Sequence, residues 1–401
     1  MTIGCPECGS LEDIPPIGAH ALVRCRMCQA PLERRSGRSV QAALACTTAT
    51  FILLFPANLA PLMTVRMLGR PHSSVLASGM LTMWGQGWVL LAALLGMFGI
   101  VLPFFRFGGL MVVLAAVRFG WCFRGIGPLF RWTVWLDAWA MLDVYLLGCM
   151  VGYARVTQSL PCTIGAGGYC LVAAGLLSMI TRASLDRRTV WRAIAPERYP
   201  SPGEATVACT ACDLVQPAHC DGFPCPRCGL TLRARKAAPL TRASALSLAA
   251  LVLTVPANLL PMTLSRQLGH VVSHRIVDGV LRLFHVGLWP FGILTFVTSV
   301  VIPVAKIVCM AWFVASVLRQ SRSHLRLKGR IHRWIDELGR WSNIDVFTIA
   351  AFVPLIRFDG IASAAPAAGA TAFALVVFFT MAAAHAFDPR LMWDSRDRRR
   401  R

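Results

Sequence analysis

Phe55-Pro-Ala-Asn-Leu-Ala-Pro61 and Val255-Pro-Ala-Asn-Leu-Leu-Pro261 are one phrase written twice, 200 residues apart. Each closes an apolar run, and each leads into a matching segment, Arg66-Met-Leu-Gly69 and Arg266-Gln-Leu-Gly269. Working outward, the same offset holds for Gly79/Gly279, Gly87/Gly287 and Pro103/Pro303. It becomes 202 for Trp132/Trp334, Trp139/Trp341, Asp143-Val144/Asp345-Val346, Asp186/Asp388 and Trp191/Trp393, so one small insertion near residue 320 accounts for the slip. Matches at so steady a spacing are an internal duplication.

The apolar runs between these landmarks decide the class. The chain is 56% hydrophobic and only 15% charged, with a mean hydropathy of +0.59, which does not describe a soluble protein of 401 residues. Four spans are predicted in each copy: 40–62, 84–120, 136–156 and 164–182, then 243–264, 286–318, 341–360 and 365–386. The second span of each set is too long for a hydrocarbon core of about 30 Å at 1.5 Å per residue, so it tilts or continues as a stalk. An even number of spans puts the segments before both copies on one side of the membrane, making a parallel repeat.

Charge orients it. The formal net charge is +21, concentrated in 24–38, 118–131, 182–198, 233–242, 319–340 and 396–401, while the intervening loops are sparser. Dense and sparse loops alternate, so the dense set belongs to the cytoplasm. This accounts for the charge without nucleic acid, for which no base-stacking platform or recognition motif is present. The chain opens on Cys5-Pro-Glu-Cys8-Gly9 rather than a basic segment and apolar core, so no cleavable signal is expected and the first span acts as the insertion signal.

Before each copy stands a four-cysteine knot. Cys5, Cys8, Cys25 and Cys28 form two CxxC knuckles, and Cys209, Cys212, Cys225 and Cys228 form two more. Such spacing sets four thiolates around one Zn²⁺, two ions per chain, with Pro and Gly allowing the tight turns. Four thiolates leave no open coordination position, so the knots are structural and no enzyme is expected. A redox role for the CxxC pairs and iron–sulfur binding are the alternatives, though no thioredoxin-like pattern surrounds the pairs. Of the seven other cysteines, Cys162 and Cys170 are a possible oxidised pair; the rest read as small apolar packing.

The expected fold is therefore an all-α polytopic membrane protein of two tandem four-helix bundles, each preceded by a small zinc ribbon. The predicted units are a ribbon over 1–36, a bundle over 39–186, a cytoplasmic linker over 187–204, a ribbon over 205–236, a bundle over 240–388 and a basic tail over 389–401.

Ionisable groups inside spans carry a functional reading by default. Lys306 lies in an apolar run, and Asp345 enters the third span at a similar depth, so the two are expected to pair. Ser299 and Thr380 lie near them. The first-half counterparts are Arg106, Asp143 and Ser178, with Gly99 opposite Ser299. The bland alternative is a snorkelling lysine and a helix-starting aspartate. Pro56, Asn58 and Pro61, with Pro256, Asn258 and Pro261, form either a helix stop or a bent lip where lipid or a partner enters.

These features together resemble the paraquat-inducible protein A family. The resemblance rests on both knots, both Pro-Ala-Asn-Leu-x-Pro phrases, both Asp-Val sites and the closing Phe387-Asp-Pro-Arg-Leu-Met-Trp393-Asp. It implies a bacterial inner-membrane protein with tetraspanin-like bundles and cytoplasmic zinc ribbons. The implied partner is an oligomeric periplasmic MCE-domain tunnel protein, and the implied cargo is membrane phospholipid or a similar lipophile. It places a transport cluster on Ser299, Lys306, Asp345 and Thr380, and no Walker-type loop competes with a proton-coupled reading. The rival readings are a small-molecule efflux transporter without a tunnel partner, a membrane oxidoreductase, and a passive anchor.

Overall fold

The computed structural model describes residues 2–14, 18, 21–34, 39–67, 70–121, 123–157, 160–195, 206–267, 270–355, 357–358 and 362–397. The Leu-Gly pairs at 68–69 and 268–269, Cys122, the basic positions 35–38 and 398–401 and the linker positions 196–204 lie outside these residues.

Two short hairpins, β1 (Thr2–Gly4) with β2 (Leu11–Asp13) and β3 (Leu22–Arg24) with β4 (Pro31–Arg34), carry the first knot. Helix α1 (Val40–Leu59) follows, its N-terminus capped by the Ser39 hydroxyl accepting from the Ala42 N–H. At its far end the chain makes a hairpin of β5 (Met63–Met67) and β6 (Arg70–Ser74). It returns through α2 (Leu76–Gly85) and the 31-residue α3 (Val89–Phe119) to α4 (Ile126–Leu136) at the knot end. Next come α5 (Leu142–Val156), β7 (Cys162–Ile164) pairing on β5, α6 (Ala166–Ser184) and α7 (Arg187–Ile194). The N-terminus of α7 is capped by Asp186, one of the repeated aspartates.

The second copy repeats the plan. β8 (Thr206–Ala208) and β9 (Val215–Pro217) carry part of the second knot, followed by α8 (Pro239–Leu259), β10 (Thr263–Gln267) and β11 (His270–His274). Then come α9 (Ile276–His285), α10 (Trp289–Leu318), α11 (Leu325–Gly339) and α12 (Ile344–Phe352). β12 (Arg357–Phe358), β13 (Ala362–Pro366), α13 (Ala368–Ala386) and α14 (Leu391–Asp397) complete it.

Among the described residues six helices, α1, α3, α6, α8, α10 and α13, are long and apolar enough to cross a membrane, so the chain is a multi-pass membrane protein. In each half the first and last of these pack as a close pair, α1 on α6 and α8 on α13, with α3 or α10 alongside. The other two predicted spans turn out differently. Among the described residues of 137–156 and 341–360, α-helix covers Leu142–Val156 and Ile344–Phe352. At 1.5 Å per residue these are about 22 Å and 14 Å long. They pack on each other at the centre of the molecule, where Gly148 lets the backbones close: a Cβ there would lie 2.8 Å from that of Phe347. The described side chains of α12 are all buried and most of those of α5 are, Met150 being 46% exposed, so their apolar sequence answers mainly to protein. A segment covered on all sides need not remain helical to satisfy its backbone, and α12 gives way to a turn at Val353–Leu355.

The all-α expectation needs a second correction. The far end of each half carries a small antiparallel sheet, β6-β5-β7 in the first and β11-β10-β13-β12 in the second. The phrase Pro-Ala-Asn-Leu-x-Pro ends a helix, and the residues after it pair as a hairpin.

The knots do not sit on the halves they precede. The first knot shares a core with the second half, where Ile3, Ile14 and Leu32 join Phe313, Phe387, Met392 and Trp393. Arg390 and Arg326 donate to its Pro6 and Met27 carbonyls at 3.2 and 2.9 Å. The second knot shares a core with the first half, through Val207, Leu214 and Leu232 against Phe130, Val190 and Trp191. Arg131 donates to the Cys228 carbonyl at 3.0 Å. The knots also touch each other, since a Cβ on Gly4 would lie 2.7 Å from that of Ala208. Docking of the second knot tolerates nothing beyond hydrogen at residue 127, where a Cβ would meet the Arg227 carbonyl oxygen at 1.9 Å. Gly127→Ala should therefore lower stability by about 1–3 kcal/mol in thermal unfolding, because backbone must move. Gly329→Ala, whose nearest atom is a flexible Arg333 nitrogen at 3.8 Å, should change little.

Candidate functional site

Each knot brings four buried cysteines together with all sulfurs within 4.8 Å of one another. Cys5–Cys28 and Cys209–Cys228 are 3.5 Å apart, and Cys8–Cys25 and Cys212–Cys225 are 3.6 Å apart. A tetrahedron of about 2.3 Å metal–sulfur bonds has edges of about 3.8 Å, so the donor set fits one metal ion in each knot. The residue after each knuckle has a left-handed backbone: Gly9, Gln29, Asp213 and Gly229, at φ 77, 61, 55 and 68°. Its N–H returns to the carbonyl of the first cysteine in every case, at 2.8–3.1 Å. The glycines adopt this freely, whereas Gln29 and Asp213 hold it at some cost.

Among the described residues, Cys149 and Cys309 lie on α5 and α10 in the helical region; no disulfide joins Cys162 and Cys170.

In the second half, Lys306 is 1% exposed. Its Nζ donates to the Gly339 carbonyl at 3.0 Å and to Thr380 Oγ1 at 3.1 Å. Gly339 makes this approach possible, since a Cβ there would lie 2.7 Å from Lys306 Cε. The expected Lys306–Asp345 pair does not form. Asp345, on the first turn of α12, instead faces the Ser299 hydroxyl, and its Oδ1 is buried without a hydrogen bond. The cation whose field reaches Asp345 is Arg155, at the end of α5 in the first half. The four predicted residues thus split into two adjoining places, Lys306 with Thr380 and Asp345 with Ser299.

Ser299 lies within a π-turn, Val297–Val301, that widens α10 just before Pro303. Proline cannot donate to a carbonyl one turn back, and the helix adapts by a wider turn, a feature common at functional sites. The first half makes the same π-turn over Met97–Val101 before Pro103, but Gly99 stands there against the Tyr145 ring.

The first half meets the same buried-cation problem with ion pairs. Arg106 is 2% exposed and is joined to Asp137, the residue that occupies the place of Gly339. Asp143 does not pair with Arg106; it accepts from Arg182 at 2.8 Å. Arg182 and Arg187 also reach Asp137, at 2.9 and 2.8 Å. Ser178 is buried, and its hydroxyl has no partner.

At the far end, Pro56 and Pro256 lie within the last turns of α1 and α8, and Asn58 and Asn258 donate to Leu54 and Thr254 carbonyls at 2.7 and 2.8 Å. The Pro61 and Pro261 carbonyls accept from Gly167 and Gly369 at 2.9 and 3.0 Å, fastening each phrase to the start of α6 or α13.

Sequence reasoning missed Arg155, Asp137 and Gly339. The repeat held a signal for each: position 357 is also arginine, and Asp137 against Gly339 is a charge-for-hydrogen exchange beside a buried cation.

The paraquat-inducible protein A family model matches residues 40–195 and 240–397. The chain is 28% identical to lipophilic envelope-spanning tunnel protein A of Escherichia coli, over 98% of this chain and 91% of that protein. It is equally identical to the Escherichia coli intermembrane transport protein PqiA, over 97% and 95%, and 24% identical to a probable intermembrane transport protein of Haemophilus influenzae, over 98% and 96%. No solved structure matches. With both copies of the module matched, the chain belongs to the paraquat-inducible protein A family.

Proposed function

We propose that this protein is the inner-membrane component of an intermembrane lipid-transport system, passing phospholipid or a similar lipophile to an oligomeric periplasmic MCE-domain tunnel protein. Relatives named for intermembrane transport and for an envelope-spanning tunnel support the reading. In it, the knots are zinc ribbons on the cytoplasmic side, each holding one Zn²⁺, and each half is a tetraspanin-like bundle. The protein catalyses no covalent chemistry. The observation that carries a moving part is the second-half cluster, where a buried lysine and a buried aspartate stand without an ion partner between them. Buried ionisable groups in a membrane protein are costly to keep and suit proton movement. Lys306 and Asp345 exchange protons during the transport cycle in this scheme, and Ser299 and Thr380 hold them in place.

Asp345→Asn is close to isosteric and removes the charge alone. It should cut lipid transfer between vesicles by about 100-fold in the presence of the tunnel partner, while folding and partner binding persist. Normal transfer by that variant would sink the proton scheme. Transfer at the full rate without any periplasmic partner would point to a self-sufficient transporter instead.

A further inference from the structure

The ion pairs around Arg106 enclose a cavity of about 380 Å³. Its charged lining is Arg106, Arg182, Arg187 and Arg340 with Asp137 and Glu337. Arg340 and Glu337 come from the second half, so the cavity lies where the two copies meet. Four guanidiniums face two carboxylates. With Asp143, which stands behind Arg182, counted as well, one positive charge is left over.

Asp137 is fully committed. Burial works against its ionisation, but the guanidiniums of Arg106, Arg182 and Arg187 outweigh that and hold its carboxyl well below the usual carboxylate range. Arg340 is engaged by Glu337 at the rim, where the Glu337 side chain is 69% exposed. Arg106 forms the floor. Its Nη1 is completely buried and has no hydrogen-bond partner. An unsatisfied donor on a buried cation is expensive, and most such groups in proteins are paired. The surplus positive charge of the lining favours an anionic acceptor. A guanidinium fork pairs readily with the oxygens of a phosphate group. Leu110, one turn from Arg106 on α3, and Met179 of α6 add apolar lining, and Met179 is 38% exposed. A ligand here has one charged end and one apolar side.

We infer that this cavity binds a phosphate group, carried on an anionic phospholipid headgroup or free in solution, with Arg106 at its floor and Arg187 and Arg340 at its rim. Only the assignment to a lipid rests on the lipid-handling reading; the anion site does not. The second half has no counterpart, because Gly339 replaces Asp137 and Ala384 stands in the position of Arg182.

The test uses the purified full chain. Native mass spectrometry would compare retention of phosphatidylglycerol with phosphatidylcholine, and calorimetry would titrate inorganic phosphate. Phosphatidylglycerol should be retained about tenfold better than phosphatidylcholine, and Arg106→Gln should abolish the preference. Arg187→Gln and Arg340→Gln leave the floor intact and keep the test valid if Arg106→Gln does not fold; each should weaken retention several-fold. Binding of inorganic phosphate without lipid preference, lost in the same variants, would keep the site and assign it to free phosphate. Binding that ignores all three substitutions, or no binding of either ligand, would overturn it. A bound lipid in a protein that fails the transfer assay would keep this site and discard the transport reading.

Discussion

Lys306→Met should reduce lipid transfer by about 100-fold or more while leaving the melting temperature unchanged or raised. Nothing around Lys306 needs its charge for folding. Its two acceptors have other bonds: the Gly339 carbonyl also accepts from Ser342 Oγ at 2.8 Å, and the Thr380 hydroxyl also donates to the Val377 carbonyl at 3.0 Å. Methionine has similar length and fits an apolar surround, so replacement removes a desolvated charge without opening a cavity. A stable variant that no longer transfers would give the lysine a role in the cycle. Gly339→Asp offers a second route to the same end. It rebuilds the arrangement that Asp137 makes with Arg106, giving Lys306 a fixed anion, and should suppress transfer by holding the ammonium charged. Vesicle transfer with the tunnel partner measures both, with thermal unfolding as the control. Wild-type transfer by Lys306→Met would leave the chain as a passive anchor.

Removing two thiols of the first knot, by Cys5→Ser with Cys8→Ser, should loosen the second half and spare the first. Hairpins with strands of three or four residues have too little core to stand alone, and in the proposed zinc-ribbon reading the metal would supply about 10–16 kcal/mol. With the knot unfolded, Phe313, Phe387, Met392 and Trp393 lose their cover. Hydrogen exchange should rise at the knot end of α10 and through α14, while α4 and α7 remain protected. Cys209→Ser with Cys212→Ser should do the reverse, exposing Phe130, Val190 and Trp191. Loss of protection in the same half as the mutated knot would overturn the exchange of knots.

The sequence shows the duplication, both four-cysteine knots and, among its eight predicted spans, the six long helices. The repeat also points to the asymmetry at Ser299 and Gly99. Three things escaped because they depend on what surrounds a segment. Hydropathy cannot separate a residue facing lipid from one facing protein, so buried α5 and α12 read as ordinary spans. The far-end sheets arise from Met63–Met67 and Thr263–Gln267, short strands whose partners include segments about a hundred residues away. The separation of Lys306 from Asp345 depends on Gly339 offering a bare carbonyl, and a missing side chain announces nothing in a search for charges.

The exchange of knots fixes the symmetry of the molecule. Gly4 and Ala208 each precede the first cysteine of their knot, so they are counterparts, and they touch. Met141 and Asn343 are counterparts too, and the Asn343 amide donates to Met141 Sδ at 2.9 Å. Contacts between counterparts, together with the reciprocal docking of each knot on the other half, are the pattern of a two-fold relation between the halves. The interface between halves is therefore isologous, as in a dimer of identical subunits. One module could close the same contacts with a second copy of itself, each lending its knot to the other. The covalent link then does what a second copy cannot: it lets Gly339 and Asp137, or Ser299 and Gly99, differ between the halves, so that one side keeps a loosely held cation and the other a clamped one.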